Sequence, residues 1–137
     1  MRLAIKADRL ISEVQNDFSQ AYPFLKIEFF RNRNVNKEHY SPEKQIAHYL
    51  RVKDAWFRNR SEGELEISNT MTVSELEDAL VDQFGLSAQL FRKSGNLWLE
   101  TTITDNWTLK QQNDHGREIS TEHRRIIRDD NDYDLSR

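Results

Sequence analysis

The chain has 137 residues, 31% of them charged, with a formal charge of −3; so slight an acidic balance gives no global field toward nucleic acid or an anionic membrane. It has no cysteine, which excludes a disulfide framework, thiolate zinc sites, iron–sulfur clusters and a cysteine nucleophile. Seven Phe, four Tyr and three Trp suit one domain with a single aromatic-rich core.

Charge interrupts the stretch from Met1 to Arg9 too early for a signal peptide, and no apolar run approaches a bilayer span. The expectation is a soluble, cytoplasmic protein. Residues 3–6 read as a short strand and 8–21 as a helix, with Asp8 as cap and Leu10, Ile11, Val14, Phe18 and Tyr22 on one face. Pro23 stops that helix. Residues 24–31 then alternate as a half-buried strand with Leu25, Ile27 and Phe29 inward. A polar connection over 32–41 leads to Ser41-Pro42-Glu43-Lys44, a helix-start pattern. That helix would run to about residue 50 or 57 through Ile46, Tyr49, Leu50 and Trp56, with a strand over 49–58 as the alternative.

After a turn at Ser61-Glu62-Gly63, Leu65-Glu66-Ile67 reads as a strand. Thr72 and Glu75 form a capping box for a helix ending at Phe84-Gly85. Residues 86–93 form a strand with Leu86, Ala88 and Leu90 inward. Ser94-Gly95-Asn96 turns the chain into a strand over 97–103, and a second turn leads to a last strand over 107–111. From 114 to 137 the chain reads as a polar tail, partly disordered, with a nascent helix over 118–128.

Residues 3–31 and 65–92 resemble each other as two copies of a β-α-β unit. Leu3, Ile5, Ser12 and Glu13 recur as Leu65, Ile67, Ser74 and Glu75, and Phe30-Arg31 recurs as Phe91-Arg92 after a one-residue slip. Right-handed crossovers then give an α+β domain over 1–113, with 32–63 as connector. Its expected arrangement is ferredoxin-like, an antiparallel sheet with both helices on one face and an extra C-terminal hairpin. A β-grasp-like layout or a generic α+β two-layer sandwich is the alternative.

Period-2 geometry puts Phe30, Phe91 and Trp98 on the sheet face away from the helices, with Arg31 and Arg92 at its edge. This is the candidate binding surface, and it points to a protein partner or a homodimer. The strands that would carry stacking aromatics in an RNA-recognition sheet have none. The alternative nucleic-acid surface is Arg51, Lys53, Trp56, Arg58 and Arg60, in a stretch that Glu38, Glu43, Asp54, Glu62 and Glu64 dilute. A regulatory domain binding a small ligand is the second alternative. His39, His48, His115 and His123 lack metal-ligand spacing, the run 129–134 lacks the Gly and closing Glu of a calcium loop, and no catalytic motif is present. The expectation is a non-enzyme without metal or cofactor.

Overall fold

The computed structural model describes residues 1–31, 42–58 and 60–135, with side chains through Glu122. In chain order the elements are β1 Arg2–Ile5, α1 Ile11–Ala21, β2 Leu25–Phe30, a 3₁₀ turn Pro42–Lys44, α2 Val52–Ala55, β3 Gly63–Glu66, α3 Val73–Phe84, β4 Ser87–Ser94, β5 Leu97–Glu100 and α4 Leu109–Leu135. The fold is α+β. Its strands form two antiparallel sheets, β1–β3 and β2–β4–β5, where the ferredoxin-like expectation joins the β-α-β strands in one.

Hydrogen bonding explains the separation. Both edges of the β2–β4 pair are already occupied. On β2 the outward carbonyls of Leu25, Ile27 and Phe29 accept bonds from Ser19 Oγ (3.2 Å), Gln15 Nε2 (2.8 Å) and the Ile46 N–H (2.7 Å). On β4 the outer edge is taken by β5 over Phe91–Ser94, and beyond it the Leu90 N–H reaches Glu77 Oε2 at 3.1 Å. Buried backbone groups must be paired, so no edge is left for β1 or β3 to join.

The helix starts follow local chemistry. Glu13 accepts the Leu10 N–H at 2.9 Å to open α1, and Thr72 Oγ1 accepts the Glu75 N–H at 3.1 Å to open α3. Gly85 closes α3 with φ 66°, a left-handed conformation that glycine adopts without a Cβ penalty. The core joins Leu3 and Ile5 of β1 to Ile11, Val14 and Phe18 of α1, Leu25, Ile27 and Phe29 of β2, Leu76 and Leu80 of α3, and Leu90 of β4. These are the inward faces that the 3.6- and 2-residue periods select.

The same contacts occur in the two halves of the chain. β1 meets β3 with Leu3 opposite Leu65, and β2 meets β4 with Glu28 opposite Gln89. Those partners lie 62 and 61 positions apart, the spacings of the sequence likeness. Ile11 and Ser12 N–H donate to Leu50 and His48 carbonyls, as Val73 and Ser74 donate to Trp107 and Asp105. Val52 and Lys53 donate to Arg9 and Ala7, as Leu109 and Lys110 donate to Met71 and Asn69. Residues 44–55 therefore make the contacts in the first half that 99–112 make in the second.

Two segments differ from expectation. Between Pro42 and Phe57 no long helix forms; the chain runs along the β2 edge at Lys44–Ile46 and makes one turn of helix at Val52–Ala55. Its buried residues Ile46, Val52 and Ala55 do not fall on one helical stripe. Residues 107–111 are not a strand. Thr108 and Gln111 cap each other's backbone N–H groups (Thr108 N–H to Gln111 Oε1 2.9 Å, Gln111 N–H to Thr108 Oγ1 3.1 Å) and start α4. Through Glu122 that helix lies against β4, with Gln112, Asn113, Gly116 and Ser120 buried. The expected polar connection over 32–41 and the cap at Ser41 lie outside the described residues.

Candidate functional site

β5 is reached through a two-residue turn, Gly95–Asn96, with Gly95 at φ 63°. In such a hairpin Ser94–Leu97 and Arg92–Leu99 are the hydrogen-bonded pairs, so Trp98 turns its N–H and C=O away from β4. The Thr101 N–H bond to the Leu90 carbonyl, 3.2 Å, continues the same alternation. Among the described residues no backbone group pairs with those of Trp98. Among the described residues β5 is thus an edge strand with an open outer side.

Its side chains are apolar on both faces and reach solvent. Leu97 is 65% exposed, Trp98 37% and Leu99 42%, and Ile103 just beyond the strand is 96% exposed. On the Trp98 face, the Lys26 ammonium lies 5.2 Å from the Trp98 ring centre and 5.3 Å from that of Phe91, within cation–π range. Glu28 sits 3.7 Å from Lys26 and receives bonds from Gln15 and Gln45.

The opposite face holds Arg92, cross-strand from Leu99. The Arg92 guanidinium donates to Gln112 Oε1 at 2.9 Å and lies 5.8 Å from the Trp107 ring centre. Its Nε is buried and has no acceptor among the described residues, and burial pulls the guanidinium below its usual pKa. Gly116 of α4 packs against Arg92, Lys93 and Phe24, and Ser120 Oγ accepts the Gly95 N–H at 3.3 Å. α4 therefore braces the hairpin from this side.

The first half gives an internal comparison. Arg31 donates to the Lys44 carbonyl as Arg92 pairs with Leu99, and Ile46 donates to Phe29 as Thr101 does to Leu90. Counting back, Pro42-Glu43-Lys44 occupies the place of Leu97-Trp98-Leu99. Both segments are exposed. Proline and charge protect an exposed strand edge, whereas apolar side chains on one invite pairing. The same position is polar in one half and apolar in the other.

The structure separates the residues singled out from sequence. Phe91 and Trp98 come together around Lys26. Phe30 shares their face at the far end of β2, opposite Ser87, and both Phe30 and Phe91 are buried, at 5% and 4% exposure. Arg31 is exposed, and Arg92 points to the other face. Only Trp98 of the three aromatics is at the surface. Leu97, Leu99 and Ile103 belong to the exposed patch and were not singled out. Their signal was present as three consecutive apolar residues in a strand, which leaves no solvent face.

The alternative basic cluster is engaged in local contacts. Arg51 bonds the Asp8 carbonyl and Lys53 approaches the Asp8 carboxylate at 3.5 Å. Arg58 lies 5.4 Å from the Phe57 ring centre, Arg60 is exposed, and Trp56 is half-buried with its indole N–H unpartnered among the described residues. Among the described residues no group of three His, Asp or Glu is placed to hold a metal, and no helix is long and apolar enough to cross a membrane. Comparison of the chain with family models, curated proteins and solved structures gave no match.

Proposed function

We propose that the protein is a binding module that takes a protein partner along β5, with Trp98 at the centre of the contact. The observation that carries this reading is the contrast at matched positions. There the first half has a charged 3₁₀ turn, Pro42-Glu43-Lys44, and the second an exposed strand edge, Leu97-Trp98-Leu99. Folding accounts for part of that choice, since Trp98 and Leu99 are covered over more than half of their surface, but not for the apolar area that stays in water. Covering what is still exposed of each would contribute roughly 0.5–2 kcal/mol. We read the two halves as copies of one β-α-β-edge-helix unit, of which the second has been adapted for docking.

The test is affinity capture with the wild-type chain and the Leu97→Lys/Leu99→Lys double variant as baits, both checked for native circular dichroism. Charging an exposed edge leaves the fold intact and blocks strand pairing. Proteins, this chain included, held by the wild type and lost with the variant are the expected result. Identical capture by both baits refutes the assignment of β5 as the docking edge.

A further inference from the structure

We infer that the occupant of this edge is a second copy of the same chain, its β5 paired antiparallel about a two-fold axis at Trp98. The inference rests on the docking reading above and adds the partner and the register. Three observations lead to it.

The first is the backbone. Trp98 presents both its N–H and its C=O outward. An antiparallel hydrogen-bonded pair requires one donor and one acceptor from the same residue on each side. Trp98 against the partner's Trp98 supplies them. On β2, the other edge of this sheet, Ser19, Gln15 and Ile46 occupy the outward carbonyls, so the sheet can grow only from β5.

The second is the side-chain pattern. With the axis at Trp98, Leu97 falls opposite the partner's Leu99, and Leu99 opposite the partner's Leu97. Both are exposed and lie on the face opposite Trp98. Leu-Trp-Leu is a palindrome, so the strand is its own complement in the antiparallel sense, as an isologous interface demands. The 3₁₀ turn Pro42-Glu43-Lys44 of the first half offers no such strand.

The third is charge. Strand spacing and rise put Lys93 about 12 Å from the partner's Glu100, measured between Cα atoms, but about 14 Å from the partner's Lys93. Glu100 is likewise about 14 Å from the partner's Glu100. All of these separations exceed the screening length of about 8 Å, so charge permits this pairing without driving it. A four-residue edge buries little area, so the dimer is a weak one, with a dissociation constant of roughly tens of micromolar.

Sedimentation velocity from about 1 to 500 µM brackets that range. The expected result is a monomer–dimer equilibrium for the wild type and for a Glu43→Lys control, and a monomer throughout for Leu97→Lys/Leu99→Lys. Register is read by disulfide trapping, which the cysteine-free chain makes unambiguous. In the proposed register Leu97 and the partner's Leu99 are a non-hydrogen-bonded pair with Cα atoms about 4.5 Å apart, within disulfide reach. Leu97 and the partner's Leu97 are about 8 Å apart, beyond it. An oxidised mixture of the Leu97→Cys and Leu99→Cys single variants should give a cross-linked dimer, and each variant alone should not.

Cross-linking of either single variant alone overturns the register. A wild-type chain monomeric at every concentration overturns the second copy as occupant. If capture of a different protein is still lost with the Leu97→Lys/Leu99→Lys variant, the docking edge itself stands. Loss of both signals refutes both.

Discussion

Replacing Gly116 by alanine tests whether α4 lies against the β4–β5 hairpin as closely as described, because the two sides of the question predict opposite signs. In a helix that merely borders the sheet, Gly→Ala raises stability by about 1 kcal/mol through the helix propensity of alanine. In the packed position the new methyl would stand 2.9 Å from Phe24 Cβ, 3.1 Å from Arg92 Cγ and 3.2 Å from the Lys93 carbonyl. Two of those three atoms cannot swing aside, being a Cβ and a backbone oxygen. Overpacking of this kind costs about 1–3 kcal/mol. If the helix lifts instead, the Ser120 bond to Gly95 (3.3 Å) and the Gln112 bond to Arg92 (2.9 Å) stretch, at about 1 kcal/mol each. The propensity gain offsets part of either loss, which leaves a net destabilisation of about 1–2 kcal/mol. Equilibrium urea unfolding at 25 °C reads this as a lower midpoint at unchanged slope. Glu118→Ala on the exposed side of the same helix serves as control and should move stability by less than about 0.5 kcal/mol. A Gly116→Ala chain more stable than wild type would refute the packing of α4 on Arg92 and Lys93, and with it the bracing of the hairpin.

Trp98→Ala should lower folding stability by about 2–3 kcal/mol, since at 37% exposure nearly two thirds of the residue is covered, and should abolish dimer formation in the same sedimentation experiment. Glu77→Ala orphans the Leu90 N–H and should cost about 1–3 kcal/mol in urea unfolding, with Glu77→Gln, which keeps an acceptor, costing less. Tyr22 donates its hydroxyl to Asn69 Oδ1 at 3.0 Å, and burial raises its pKa above 10.0. The unfolded chain therefore loses that proton first, so the contribution of Tyr22 is complete below pH 10 and is lost as pH rises through the folded value. Subtracting the alkaline unfolding curve of Tyr22→Phe from that of wild type should leave a difference that shrinks above that point, and a constant difference would refute the linkage.

Elements whose buried face is apolar were legible in the sequence. α1 and α3 show it through Ile11, Val14 and Phe18 and through Val73, Leu76 and Leu80, and β2 through Leu25, Ile27 and Phe29. α4 was not, because past Leu109 its buried face is Gln112, Asn113, Gly116 and Ser120. Those residues are held by bonds to Thr104, Phe24 and Lys93, partners that hydrophobic periodicity does not reveal. The Thr108–Gln111 capping box was the available sign. The segment 44–46 was misread for a different reason: it owes its extended form to the β2 edge, a contact distant in sequence. Alternation placed Phe30, Phe91 and Trp98 on one face correctly, but it carries no information on whether that face is covered. Burial separated Trp98 from the other two.

The likeness between the halves also accounts for the position of the open edge. Gln15 and Glu77 are 62 positions apart, and each reaches from its helix to the outer edge of the strand that follows, Gln15 to the Ile27 carbonyl and Glu77 to the Leu90 N–H. The two halves thus share a device for closing the outer edges of β2 and β4, using an amide donor in one and a carboxylate acceptor in the other. The following segment then runs beside each strand. In the first half it makes two backbone bonds, at Arg31–Lys44 and Phe29–Ile46, and ends in proline and charge. In the second it becomes a full strand, β5, tied back by the Gly95–Asn96 turn and braced by α4. A regular strand must have a second edge, so with β5 beside β4 the open side of the sheet lies at Trp98. The surface proposed for docking therefore lies where the second half differs from the first, and exchanging Trp98-Leu99 for the Glu-Lys of the first half, which spares the Leu97 N–H paired with Ser94, should remove association while leaving the hairpin turn in place.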